Sequence, residues 1–170
     1  MDKLNSNNRF RTELFDNRDN AEKAYNDALA RGYQAEDINV MMSEDSRKKY
    51  YDSVLVDKEA DKSMEGLAIG GALGGAIGGT IGAIIAIGTS IVFPGLGLVI
   101  AGPLAVGLAG AGAGSISGGL IGALIGWGIP EERAHVYEKG IKSGGIVMGV
   151  DEKPDLSLER DWDKYKSRNY

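Results

Sequence analysis

Residues 66–128 form a stretch of 63 residues without one charged side chain, and no other feature constrains the fold as strongly. Residues four apart on a helix lie along one ridge, so glycines at that spacing remove side chains from a strip of surface and let another backbone approach closely. The stretch holds two such runs, which predict two zipper-forming helices: Gly66, Gly70, Gly74, Gly78 and Gly82, then Gly110, Gly114, Gly118, Gly122 and Gly126. Beside the first run lies a bulky apolar ridge: Ile69, Leu73, Ile77, Ile81 and Ile85.

The glycine content limits where these helices can form. Nine glycines fall in 66–91 and nine in 103–128. At about 1 kcal/mol per glycine relative to alanine, each helix is disfavoured by roughly 9 kcal/mol. In hydrocarbon an unpaired peptide group costs several kcal/mol, which favours the helix regardless of propensity. We therefore expect the helices to form in lipid or in a tightly packed oligomer, and about 26 helical residues extend far enough to cross a bilayer.

The segment 92–102 is predicted to be the turn of this helical hairpin. Pro94, Gly95 and Gly97 are expected to reverse the chain, and Pro103 to begin the second helix at its first position. The turn offers water no charged group, which is unusual for a loop on the far side of a bilayer. Three placements stay open: a full hairpin span, a re-entrant hairpin whose tip stays in the membrane, and a hairpin buried in a soluble homo-oligomer.

Overall composition excludes several functional classes. Lysine plus arginine total 19 and aspartate plus glutamate 24, a net charge of −5, which gives no electrostatic support to a nucleic-acid role. The lack of cysteine excludes disulfides, thiolate metal sites and a cysteine nucleophile. The first fifteen residues have no apolar signal region. We expect the protein in the cytoplasm or at the cytoplasmic membrane, with both termini on the same side.

The polar sequence before the apolar stretch predicts the first part of an α+β domain. Alternating apolar residues predict strands over 9–15 and 37–43, and 53–57 is expected to form a short third strand. Between the first two strands, Asp19 and Glu22 have the spacing of a capping box that opens a helix.

The sequence after the apolar stretch predicts the rest of that domain. Pro130 opens a predicted helix, which two glycines close at 144–145, and 146–150 forms a last strand. The order βαβ(β), insertion, αβ is that of a ferredoxin-like domain, split by the antiparallel glycine-zipper hairpin. Leu158, Trp162 and Tyr165 predict a short amphipathic helix that docks on the domain or on a neighbouring subunit.

This pattern divides the chain into four parts. The first part of the α+β domain is 1–65, the apolar hairpin is 66–128, the second part of the domain is 129–151, and the tail is 152–170. We expect 1–65 and 129–170 to fold together as one domain.

Few side chains of the sequence are candidates for catalysis, cofactor binding or metal binding. His135 is the only histidine, and with only Glu131, Glu132 and Glu138 nearby on one helix a surface role is favoured over a metal site. The glycines at 110–114 lack the dinucleotide-binding spacing, and no strand precedes them. We predict no catalytic, cofactor-binding or metal-binding residue and no small-molecule substrate. The functional residues predicted are the ten zipper glycines and the four turn residues.

Three segments of the chain, together with the glycine-rich stretch, resemble one known family. They are FDNRDNAEKAYNDALARGYQAEDINVMMSEDSRKKYY, GIPEERAHVYEKGIKSGGIVMGV and DWDKYKSRNY. Together they look like the bacterial general-stress (heat-induced stress) protein family, whose α+β domain is interrupted by a glycine-rich hydrophobic segment. The resemblance implies a stress-associated protein without catalytic residues.

These observations predict a non-enzymatic stress protein that self-assembles and associates with a membrane through transmembrane helices of the glycine-zipper hairpin. Its expected partners are copies of itself and the lipid bilayer, with no nucleic acid. The alternative is a soluble homo-oligomeric structural assembly, a ring, cage or filament, in which the hairpins form the apolar core.

Overall fold

A five-stranded antiparallel sheet lies at the centre of the computed structural model, which describes residues 10–51, 81, 90–93, 95–105, 119–153 and 155–169. The strand order is β1-β5-β2-β4-β3. The strands are β1 (Phe10–Phe15), β2 (Ile38–Ser43), β3 (Ser90–Phe93), β4 (Leu98–Ala101) and β5 (Ile146–Asp151). The predicted α+β class is confirmed.

Strands from both sides of the apolar stretch share this sheet. β5 pairs antiparallel with β1, with Ile146 opposite Phe15, and antiparallel with β2, with Ile146 opposite Met42. Because β5 is antiparallel to both neighbours, β1 and β2 are parallel to each other and need a crossover between them. The helix α1 (Arg18–Ala30) supplies it. The predictions of these three strands and of α1 are confirmed.

The start of α1 differs in detail from the predicted capping box. The N-cap residue is Asn17, whose side-chain oxygen accepts a hydrogen bond of 3.0 Å from the backbone N–H of Asn20. Asp19 lies in the first turn, where a carboxylate stabilises the helix through its interaction with the helix dipole. Glu22 instead accepts a hydrogen bond of 3.1 Å from the Tyr51 hydroxyl. The capping-box assignment was wrong because the asparagine two positions earlier satisfies the free N–H group.

Two strands come from within the apolar stretch. β4 pairs antiparallel with β2, and β3 pairs antiparallel with β4, so the segment predicted as a helical turn forms a β-hairpin in the sheet. Its strands read SIVF and LVIA, and such β-branched residues favour a buried strand. The two polar parts therefore do not complete the sheet by themselves. The predicted strand at 53–57 lies outside the described residues.

Helices cover both faces of the sheet. On one face α1, the helical residues 44–51 and the tail surround a core that includes Phe15, Val40 and Met148. On the other face lie α2 (Gly119–Gly126) and α3 (Glu131–Lys142), which confirms the helix predicted to open after Pro130. Alternate residues of β1, β2, β4 and β5 supply the two cores, as the two-residue period of a strand requires.

The C-terminal tail folds back along the domain. Its helix α4 (Glu159–Trp162) brings Trp162 to 0% exposure, where the indole N–H donates to the Ala24 carbonyl at 3.0 Å. The Trp162 ring meets the Phe15 ring edge to face, with centroids 5.7 Å apart. Asp161 pairs with Arg31 at 2.7 Å and with Lys164 at 3.0 Å. The hydrogen bond from Lys164, followed by the charge of Arg31, holds the pKa of the Asp161 carboxyl below its usual value.

We expect Trp162→Ala to lower the free energy of unfolding by about 3–5 kcal/mol, because it removes a fully buried ring and leaves a cavity. The neighbouring variant Arg160→Ala, at an exposed position of the same helix, should change it by less than about 0.5 kcal/mol. Urea denaturation followed by circular dichroism measures both. Equal stability of the two variants would mean that the tail does not contribute to the core.

Candidate functional site

The structure describes part of the predicted zipper and turn. Gly122 and Gly126 lie in α2, and the other eight zipper glycines lie outside the described residues. Gly95 and Gly97 form the turn between β3 and β4, whereas Pro94 is outside the described residues. Pro103 is the first of the helical residues 103–105. We call the region in which the described parts of the apolar stretch contact the sheet the junction.

Helix α2 presents its glycine ridge away from the sheet. Its buried residues are Leu120, Ala123 and Leu124, which pack in the second core. Gly122 is half-buried and Gly126 exposed. The same outward side carries Ile121, partly buried, and Ile125, which is 45% exposed. We define these four residues, Ile121, Gly122, Ile125 and Gly126, as the outer face of α2. It has no charged or polar side chain.

The bulky ridge of the first predicted helix meets the domain at one described position. Ile81 is helical and 0% exposed, and it belongs to the core on the α1 face with Tyr25 and Tyr51. At this position the apolar stretch therefore packs against its own domain.

A buried asparagine organises the point where β4 leaves the sheet. Asn39 is 3% exposed, and its amide group donates to the Gly149 carbonyl at 3.3 Å. Its side-chain oxygen accepts a hydrogen bond of 2.8 Å from the Leu104 N–H. One side chain thus joins β2, β5 and the start of the helical residues 103–105. Sequence reasoning missed Asn39, although a polar residue in the run INVMM was an available signal.

Gly102 passes close to this asparagine. Its φ of +102° is one that residues with a side chain rarely adopt. A Cβ added at this position would contact the Ile38 carbonyl oxygen and lie 2.9 Å from the Asn39 Cα. No residue other than glycine fits here without moving the backbone of β2.

Trp127, near the C-terminal end of the apolar stretch, and Phe93, the last residue of β3, are both buried in the second core. The Trp127 ring meets Phe10 edge to face with centroids 6.1 Å apart. Its indole N–H has no hydrogen-bond partner in the part of the chain that the structure describes. Both residues therefore pack within the domain.

The described residues contain little that could support catalysis or metal binding. His135 is exposed on α3. Within the described ranges, no group of three or more histidine, aspartate or glutamate side chains is arranged to hold a metal ion. In the same ranges, no helix has the length and apolar content needed to cross a bilayer.

Comparison with known proteins found no matching family model, no significantly similar curated protein and no significantly similar solved structure.

The close approach at Gly102 gives a test of the junction. Gly102→Ala should lower the free energy of unfolding by about 2–5 kcal/mol, the sum of an unfavourable positive φ and a backbone clash. Gly95→Ala is the matched control, because a Cβ there has nothing within 4 Å and needs no positive φ. Thermal and urea unfolding of both variants measure the difference. If Gly102→Ala were as stable as Gly95→Ala, β4 would not be held against β2 as described.

Proposed function

We propose that the chain is a non-enzymatic, stress-associated protein that self-assembles and associates with a membrane through its glycine-rich stretch. The observation that carries the proposal is the outer face of α2, which combines the glycine ridge at Gly122 with an exposed isoleucine, Ile125. Small residues on one helix ridge permit close approach of a second helix, and an uncharged face of this kind is suited to another apolar surface.

The path of the chain supports contact with lipid from one side. The segment 52–89 begins after Tyr51, which is buried in the first core, and ends at Ser90 in β3. The segment 106–118 begins after Ala105 and ends at Gly119, the start of α2, and Ala105 and α2 belong to the second core. Both segments thus start and finish on the same sheet. We infer that the apolar stretch meets a membrane from the side on which the α+β domain lies. Because 90–93 and 98–101 are strands of the sheet, the tip of the predicted hairpin does not lie in the membrane, and 52–89 and 106–118 would each enter the bilayer from that side and return to it.

A soluble homo-oligomer is the second candidate, and Ile81 favours it. This residue belongs to the predicted bulky ridge, and it packs in the core of its own domain rather than facing outward. In that assembly the outer faces of α2 from several copies would pack together, with the α+β domains around them. Both candidates share self-association through glycine-rich helix surfaces.

The remaining parts of the proposal come from the sequence. The stress association follows from the family resemblance of the segments 15–51, 128–150 and 161–170. The antiparallel glycine-zipper hairpin over the rest of 66–128, and the ferredoxin-like connection of the domain, are likewise proposals. The assignment as a non-enzyme rests on the lack of cysteine and the single histidine of the chain.

Gly122→Leu tests self-assembly in the full chain. Gly122 is half-buried and lies outside the buried stripe of α2, so its own domain should accept the side chain. If the glycine ridge packs against another helix, the added side chain should destabilise that contact by about 1–3 kcal/mol. We expect a lower oligomeric mass by light scattering with an unchanged melting temperature. The volume-conserving control Ile125→Leu should keep the wild-type mass. A monomeric wild type, or wild-type mass for Gly122→Leu, would contradict the proposal.

Ile77→Asp tests membrane association, with Ile77→Leu as its control. Ile77 lies on the bulky ridge outside the described residues, and a charge there should cost a few kcal/mol in lipid. Wild type and Ile77→Leu are expected to float with phosphatidylcholine vesicles and to resist an alkaline carbonate wash, whereas Ile77→Asp should not float. Assembly of the wild type without flotation would replace the membrane proposal by the soluble homo-oligomer.

A further inference from the structure

A cleft opens at the edge of the sheet farthest from β3. Its volume is about 290 Å³, and it lies where β1, α3 and the C-terminal tail meet. The lining residues are Glu13, Leu14, Arg133, Val136, Tyr137, Lys166 and Ser167. Three of them carry charge, and they come from three separate parts of the chain.

The outer edge of β1 forms the floor of the cleft and is held by side chains rather than by another strand. The Thr12 carbonyl accepts hydrogen bonds from Arg133 at 2.7 Å and from the Tyr137 hydroxyl at 2.9 Å. The Leu14 carbonyl accepts one from the Ser167 N–H at 2.6 Å. These bonds fix the walls of the cleft, so its shape is set before any ligand arrives.

The charged groups of the cleft are not paired with one another. Glu13, with a side chain 17% exposed, has its nearest cation at 3.7 Å in Arg11. Lys166 pairs with Asp163 at 2.8 Å. Arg133 donates hydrogen bonds from one terminal nitrogen, Nη2, to Thr12 and Tyr137, and its guanidinium lies over the Tyr137 ring, 5.2 Å from the centroid. It has no other hydrogen-bond or ion-pair partner among the described residues. Within the same residues neither Arg133 nor Lys166 forms an ion pair with Glu13.

Among the described residues, the Glu13 carboxylate therefore has one ion pair, with Arg11 at 3.7 Å, and accepts no hydrogen bond. Its burial raises its pKa, although the positive charges of Arg133, Lys166 and Arg11 lower it and Asp163 adds to the rise. A carboxylate in this position gains most from a cation that enters the cleft and donates hydrogen bonds to it. The free edge of the Arg133 guanidinium offers the complementary site, because it presents donors in the geometry that a carboxylate accepts.

We propose that this cleft binds a small zwitterion of the amino-acid class, with its primary ammonium on Glu13 and its carboxylate on Arg133 and Lys166. The volume lies at the lower end of small-molecule sites, which limits the ligand to a molecule about the size of a single amino acid. A ligand with one charge only would leave one wall of the cleft uncompensated. The proposal is independent of self-assembly and of membrane contact, since none of the lining residues belongs to the outer face of α2.

The experiment is a titration of the full chain, followed by nuclear magnetic resonance, with ω-amino acids from glycine to 6-aminohexanoate. This series varies the separation of the two charges, and butylamine and butyrate are the singly charged controls. We expect at least one member to bind about tenfold more tightly than either control, the effect of one charge-assisted contact. Shifted signals should include the Leu14 and Tyr137 amides.

Two variants of similar size, each of which removes one charge, test which side chains bind the charged groups of the ligand. Glu13→Gln and Lys166→Gln should each weaken the best ligand, Glu13→Gln by about tenfold or more. Glu132→Gln, at an exposed position of α3 that does not line the cleft, should bind as the wild type does. Melting temperatures establish that every variant is folded.

Three results would overturn the proposal. Butyrate binding as tightly as the best zwitterion, with no effect of Glu13→Gln, would define a simple anion site. Butylamine binding as tightly as the zwitterion would define a cation site. No binding of any series member at about 10 mM, a concentration that detects dissociation constants in the millimolar range, would show that the cleft holds no such ligand.

Discussion

The pairing of β4 with β2 is the interaction on which the rest of the structure depends. It joins residues 98–101 of an uncharged, glycine-rich stretch to a strand of the charged part of the chain, in the register that places Ala101 opposite Val40. Through this pairing β3 also enters the sheet. Without it the outer edge of β2 would have unsatisfied backbone groups beside an apolar core, which is costly. The domain and the apolar stretch are therefore one folding unit in the described residues.

Hydrogen bonds from polar side chains hold the irregular parts of this fold together. Asn39 connects two strands and the helical residues 103–105, and Gly102 beside it leaves room for the backbone. On the other edge, Arg133 and Tyr137 satisfy the Thr12 carbonyl of β1. Each of these groups would lose a hydrogen-bond partner if the adjoining segment moved away, so they specify the arrangement as well as stabilise it.

The two edges of the sheet differ in chemistry. The β3 edge is uncharged, with Val92 exposed. The outer face of α2, which the proposals for assembly and membrane contact concern, is uncharged as well, with Ile125 exposed. The β1 edge carries the charged cleft and is covered in part by the tail.

The local pattern of the sequence determined β1, α1, β2, α3 and β5, because the periods of two and 3.6 residues are properties of short segments. It also marked the turn at 94–97 and the apolar stripe around Trp162. Only the tertiary structure decided that 98–101 pairs with β2 and that 90–93 pairs with 98–101, since an apolar run with proline and glycine has the same local pattern in a membrane turn and in a β-hairpin. The tertiary structure, and no local pattern of the sequence, brings Glu13, Arg133 and Lys166 together in one cleft. Contacts between residues more than 30 positions apart leave no trace in local periodicity, and the physical choice among them is made by burial and hydrogen bonding in the folded chain.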